Sequence, residues 1–183
     1  MGYKKYVNDY SKEYIVKPNG KPGVIAVYKG KYFRFTADEA TLRKARISLG
    51  GLSLLSVALT VIPLLYKSVG SGTLYVALPH VIALFPLIHL LLGVHSFCFS
   101  KTPMIRERRD KTEGRTVSSA IAAACILGIT SVSQTVNCIL SGFPLPDVIY
   151  LILLLAATAA AGAIILLRSV LKTEECTKEG KKV

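Results

Sequence analysis

The chain has 183 residues, of which 51% are apolar, and a mean hydropathy of +0.46, which excludes an ordinary water-soluble domain of this length. Its formal net charge of +12 would suggest nucleic acid in a soluble protein, but the basic residues fall between long apolar runs, and no nucleic-acid partner is expected. Cysteines at 98, 125, 138 and 176 form no CxxC pair, so neither a disulfide framework nor a zinc site is predicted, and the thiols are read as small apolar residues.

From Met1 to Tyr14 the residues Tyr3, Tyr6, Val7, Tyr10 and Tyr14 recur at intervals of three and four among charged neighbours, the pattern of a short amphipathic helix. β-rich pieces follow: YIV, GVIAVY and KYFRF, separated by KPNGKP and by Lys29-Gly30. Pro18, Gly20 and Pro22 break any helix there, and Gly30 suits a hairpin, so residues 12–35 are expected to form a three-strand meander. Thr36-Ala37-Asp38-Glu39 fits a capping box, which predicts a helix over 37–46 running into the first apolar span. Residues 1–46 thus make one small amino-terminal unit of helix, meander and capped helix.

A transmembrane helix needs about 20 apolar residues to cross roughly 30 Å of hydrocarbon. Four runs qualify: 47–66, 74–99, 117–140 and 148–167, none containing Asp, Glu, Lys or Arg. The first, expected to serve as an uncleaved anchor, carries Ser53, Ser56 and Thr60 on one face and Pro63 near its far end, where the last turn should loosen. The second holds His80, His89 and His95. On a helix His89 lies opposite His80, and His95 returns near that face roughly 22 Å further along, so the three imidazoles cannot converge on a metal or haem. No cofactor is expected, and His89, near mid-depth, is the histidine with the best placement for a functional role.

The connection 100–116 groups Lys101, Arg106, Arg108, Arg109, Lys111 and Arg115 with three acidic residues. It reads as a solvated, orientation-setting loop, and its arginines give it the chemistry to contact anionic lipid headgroups. The third run is the only one with amides inside it. Thr116, Ser119, Ala123, Thr130, Gln134, Asn137 and Ser141 share one helical stripe, and because amides facing hydrocarbon would lose their hydrogen bonds, that stripe is expected to turn toward the other helices. Thr130, Gln134, Asn137 and Ser141, with His89, are therefore candidates for a polar path or a packing seam. The fourth run has a small-residue centre, with Ala156–Ala160, Thr158–Gly162 and Ala159–Ala163 spaced for close helix approach, and it should form a tight hairpin with the third. The tail 168–183 is polar enough to be disordered.

The fold expected is an all-α integral membrane protein of four transmembrane helices in two hairpins, preceded by a small helix and β-meander. Twenty-two of the 23 Lys and Arg lie in segments 1–46, 100–116 and 168–183. By the positive-inside rule this places both termini in the cytoplasm of a multi-pass cell-membrane protein. The two hairpins share one course but show no residue-level repeat, and the chain lacks the membrane-embedded Glu of small multidrug exporters, the CxxC of quinone-coupled disulfide enzymes and any GxS nucleophile paired with a His. The function expected is that of a non-catalytic partner, regulatory or assembly subunit acting from the cytoplasmic face. The alternative is a small oligomeric transporter or channel subunit with a polar path along the third span. Expected partners are the lipid bilayer, anionic headgroups, and a membrane protein or further copies of the chain.

Overall fold

The computed structural model describes residues 3–16, 22–65 and 68–177. The expected turn at Pro18-Asn19-Gly20 and the last six residues of the tail lie outside them. The protein is mostly helical, and four helical stretches are long and apolar enough to cross a membrane: Glu39–Leu65, Leu74–Cys98, Arg106–Ser141 and Leu145–Leu171.

In chain order, a 3-10 segment Tyr3–Asp9 leads into β1 (Tyr10–Val16), β2 (Pro22–Tyr28) and β3 (Tyr32–Phe35). Helix α1 (Glu39–Val61) passes into a 3-10 turn over Ile62–Leu65, where Pro63 has no N–H to continue an α-helix. The short helix α2 (Val69–Gly72) begins at Ser68, whose side chain exchanges hydrogen bonds with Ser71 as a reciprocal cap. Helix α3 (Leu74–Cys98) runs unbroken through Pro79 and Pro86. A two-residue strand β4 (Met104–Ile105) precedes α4 (Arg106–Arg109), a π-turn (Asp110–Gly114) and α5 (Arg115–Ser141), which form one continuous rod. Gly142, at φ 73°, ends α5 in the left-handed conformation that favours glycine. Helix α6 (Leu145–Leu166) then leads through a 3-10 turn (Leu167–Leu171) to β5 (Thr173–Cys176).

The four long helices form a ring in which α1 packs on α3 and α6, and α5 packs on the same two neighbours from the opposite corner. The strands β1–β3, the segment 100–114 and residues 167–177 sit at one end, the terminal end, and α2 and Gly142–Pro144 sit at the other. Leu49, Val76, Ala83, Leu87, Leu127 and Leu154 are among the fully buried side chains of the core, while Leu54, Phe85, Ile129 and Leu166 stand on an apolar outer surface.

At the terminal end the strands are wired differently from a meander. β1 and β2 form a hairpin, but β3 is the centre of a second sheet ordered β4-β3-β5. Both edges of β3 are thus occupied, by Met104–Ile105 on one side and by Thr173–Cys176 on the other, which leaves none for β2. The tail's first residues are ordered by this pairing: Glu174 faces Arg34 at 2.8 Å, and Glu175 takes Lys31 at 2.7 Å. Phe33 and Phe35 point inward, Phe35 meeting Phe97 of α3 edge-on with centroids 5.2 Å apart, so the small sheet closes the end of the bundle.

The same pairing moves the start of α1. The Thr36 N–H and hydroxyl both donate to the Lys172 carbonyl, and the cap is made by Asp38, whose Oδ2 accepts the Thr41 N–H at 3.2 Å. The expected Thr36–Glu39 capping box is therefore corrected to a start two residues later. The amino-terminal amphipathic α-helix is likewise corrected: the segment is a 3-10 turn and then a strand, since Tyr10–Val16 is drawn into register with Pro22–Tyr28.

Helices α3 and α5 come close where Gly93 lies against Thr116: a Cβ on Gly93 would sit 2.9 Å from the Thr116 backbone nitrogen. Gly93→Ala should thus lower stability by about 1–3 kcal/mol through overpacking, read as thermal unfolding in detergent. Gly50→Ala, with nothing within 4 Å of its added methyl, is the matched control and should not destabilise. Hydrogen bonds from Thr41 hold the Asp38 carboxyl below its ordinary value of 3.8. A depressed carboxylate stabilises above the unfolded value and loses that contribution as pH falls through the folded one, so exchange protection of the Thr41 amide should fall on acidification below that range.

Candidate functional site

Two groups of polar residues could carry function, one inside the bundle near α2 and one on its terminal end. The first is built from the stripe of α5. Thr116, Ser119, Ala123, Thr130, Gln134 and Asn137 are all buried, as an amide-bearing face in apolar surroundings requires, and Ser141 is half-buried. The hydroxyls of Thr130 and Ser141 on the stripe, and of Ser131 and Thr135 beside it, each donate to the carbonyl four residues back, whereas the buried Thr116 Oγ1 has no partner among the described residues. Ala120, Ala123 and Leu127 are buried among them, which makes the stripe a packed seam along most of its length.

At the α2 end the seam becomes a network between helices. Gln134 Nε2 donates to the Asp147 carbonyl at 3.1 Å and to its Oδ1 at 3.2 Å, and the Gly70 N–H donates to the same Oδ1 at 2.9 Å. Asp147 is fully buried in the first turn of α6, where free N–H groups and the helix dipole favour a negative side chain. Among the described residues it forms no ion pair. Gly70 leaves room there for the Gln134 amide, which an added Cβ would overlap. Asn137 Oδ1 accepts from Tyr75 Oη at 3.4 Å and Thr73 Oγ1 at 3.5 Å, at the entry to α3. Three buried polar atoms of this network have no protein partner: Asp147 Oδ2, Gln134 Oε1 and Asn137 Nδ2.

One helical turn away, His80 joins three helices. Its Nε2 bonds the Thr60 carbonyl at 2.8 Å and its Nδ1 bonds the Tyr150 hydroxyl. Because a carbonyl can only accept, Nε2 carries the proton and Nδ1 accepts from Tyr150 in the neutral ring. His89, by contrast, lies exposed on the outer face of α3, with Nδ1 bonded to the Phe85 carbonyl at 3.0 Å. Its place in a polar path is therefore corrected: the fully buried histidine is His80. His95 also faces outward, its ring beside Phe99. Asp147 falls one residue before the fourth apolar run, 148–167, and composition alone does not single it out, although Leu145-Pro146-Asp147 has the Pro and acidic residue that mark a helix's first turn.

The second group lies around 100–115, which is structured where a solvated loop was expected. Arg106 reaches Asp9 at 3.9 Å while its N–H donates to the Tyr28 hydroxyl. That hydroxyl also donates to the Lys31 carbonyl, and burial raises its pKa. Arg109 pairs with Glu113 at 3.5 Å and lies over the Phe33 ring at 4.7 Å, a structural cation–π contact. Arg115 begins α5, half-buried. Only Lys101, Arg108 and Lys111 of the six basic residues line one groove, together with Ser96 and Glu107. A cavity of about 580 Å3 shares Glu107 and Lys111 with that groove and is lined also by Tyr6, Val7, Tyr10, Ser11, Lys12 and Ala26.

Gln134→Leu and Asp147→Leu should each cost about 1–3 kcal/mol, since each leaves the other's buried polar atoms unpaired. Their double-mutant cycle should show a coupling of about 0.5–3 kcal/mol, whereas Ser118→Ala, exposed at the other end of α5, should be nearly silent. Thermal unfolding in detergent reads all four. Compared with known proteins, the chain matches no family model, no curated protein and no solved structure, so its function is argued from this geometry.

Proposed function

We propose that the protein is a non-catalytic multi-pass membrane protein that serves as a partner or assembly subunit, binding a second protein through the strand unit at its terminal end. On this reading the four helices are embedded in the cell membrane and that end is cytoplasmic. The charge distribution supports the orientation, since all Lys and Arg except Lys67 belong to the terminal-end segments.

The observation that carries the reading is an exposed, mostly apolar face on the hairpin, interrupted by Lys12. Directly opposed residues of an antiparallel pair share a face, and the pairs Tyr14–Val24, Lys12–Ala26 and Tyr10–Tyr28 therefore line up on one side. Tyr14 is 84% exposed and Val24 53%. The face continues from them over Ala26 and Tyr10 into the 580 Å3 cavity beside Tyr6 and Val7. Exposed apolar surface that ends in a concave pocket is the form of a protein-docking site with one anchoring side chain. The surrounding unit, 1–46, carries 11 basic and 4 acidic residues, 11 − 4 = +7, which fits an acidic partner segment with a bulky apolar anchor.

A photoreactive residue at Tyr14 or Val24 should crosslink, in cells, to one protein other than itself, and Val7→Glu should abolish the adduct by placing a charge on the cavity wall. A photoreactive residue at Ile47, on the outer face of α1, is the control. Adducts only between copies of the chain would instead favour the oligomeric transporter reading. For orientation, cysteines introduced at Lys44 and Phe143 should react with an impermeant maleimide from opposite sides, Lys44 only after the cytoplasm is opened. The native Cys176 is a poor reporter, because it is buried in β5 and burial pushes its thiol up.

A further inference from the structure

The groove beside α4 adjoins the docking cavity and shares Glu107 and Lys111 with it, but adds Lys101, Arg108 and an apolar approach along α3. It measures about 470 Å3 and is lined by Ser96 of α3 and by Lys101, Arg108 and Lys111, with Glu107 the one acidic wall residue. Glu107 already holds Lys111 at 2.6 Å, which leaves the groove a net charge of 3 − 1 = +2 from the lining residues. Lys101 and Arg108 are exposed and take no part in the sheet, the core or an ion pair with Asp9 or Glu113 as Arg106 and Arg109 do.

The face of α3 that ends at this groove is apolar and outward. Ile88 and Leu92 lie eight and four residues before Ser96 on the same helical face, exposed at 55% and 48%, and Phe99 follows at 68%. An apolar track exposed on the outer wall of the bundle thus runs directly into a cluster of three cations at its end. One molecule matches both halves: an acyl chain for the track and a phosphodiester for the cations.

We infer that the groove formed by Ser96, Lys101, Arg108 and Lys111 is a binding site for one anionic phospholipid, whose acyl chain lies along Ile88, Leu92 and Phe99. The inference rests on the helices being embedded in a bilayer but not on the docking partner. Arg108 supplies a forked donor for the phosphate oxygens, and Lys101 and Lys111 supply point charges on either side. Glu107 limits the affinity by neutralising Lys111, which keeps the site exchangeable.

The test is native mass spectrometry of the full chain released from nanodiscs of equal phosphatidylglycerol and phosphatidylcholine. One phosphatidylglycerol should remain bound in preference to phosphatidylcholine. Retention should fall about tenfold or more in Lys101→Gln/Arg108→Gln/Lys111→Gln and stay unchanged in Arg43→Gln/Lys44→Gln/Lys172→Gln, which removes the same charge elsewhere on the terminal end. Glu107→Gln should raise retention, an outcome that unfolding cannot mimic. Equal loss in both triple variants, equal retention of the two lipids, or no gain from Glu107→Gln would overturn the site. Soluble glycerol phosphate should not displace the lipid at matched concentration, and displacement would reassign the groove to a free phosphoester.

Discussion

The structure depends on keeping one polar helix face out of an apolar environment. Every amide on α5 that faced hydrocarbon would forfeit its hydrogen bonds, at several kcal/mol by transfer estimates. The face is covered at two glycines: Gly93 lets the Thr116 backbone come close at one end, and Gly70 leaves room for the Gln134 amide at the other. Between these points the hydroxyls fold back on their own helix and the gaps are filled by Ala120, Ala123 and Leu127. The small residues of α6 serve the same end on its other side, where Ser56 of α1 donates to the Ala157 carbonyl at 3.3 Å.

Asp147 shows how that constraint reaches into the connections. Its carboxylate is the acceptor for both the α2 backbone and the Gln134 amide, so the short turn between α1 and α3 is tied to the α5–α6 hairpin by one side chain. His80 makes a second tie nearby, between α1, α3 and α6. It is available because Pro63 interrupts the helix just past Thr60, whose carbonyl then takes the imidazole N–H. These two ties hold the end of the bundle where no strand or long loop is present to do so.

The opposite end is held by a different device. Three segments more than 60 residues apart in sequence meet as β4-β3-β5 and press Phe33 and Phe35 onto Phe97, Met104 and Leu171. Of the ion pairs on this sheet, Lys31–Glu175 is exposed and worth only about 0–1 kcal/mol and Arg34–Glu174 is half-buried; their part is register, with Arg34 opposite Glu174 and Lys31 beside Glu175. The hairpin β1–β2, released from pairing with β3, is left to present its apolar face.

The sequence by itself determined four helices of membrane-crossing length, their order, the buried face of α5, the loosening at Pro63 and a small strand region before the first helix. Each of these follows from local composition and periodicity, because burial in a helix repeats every 3.6 residues and a bilayer sets a fixed length. Tertiary structure alone decided which strands pair. Thr173–Cys176 looks like a solvated tail until Lys31 and Arg34 are placed beside it, and Thr36 looks like a cap until Lys172 takes its hydroxyl. Which histidine is enclosed was also decided in three dimensions, since His80 and His89 sit in equally apolar stretches and only the positions of Thr60 and Tyr150 distinguish them. The same holds for the basic residues: pattern collects all six in one segment, but ion pairing with Asp9 and Glu113 occupies Arg106 and Arg109 and leaves Lys101, Arg108 and Lys111 around one groove. Hydrogen bonds and ion pairs between distant segments leave no periodic trace in a chain, because each needs only one residue at each end.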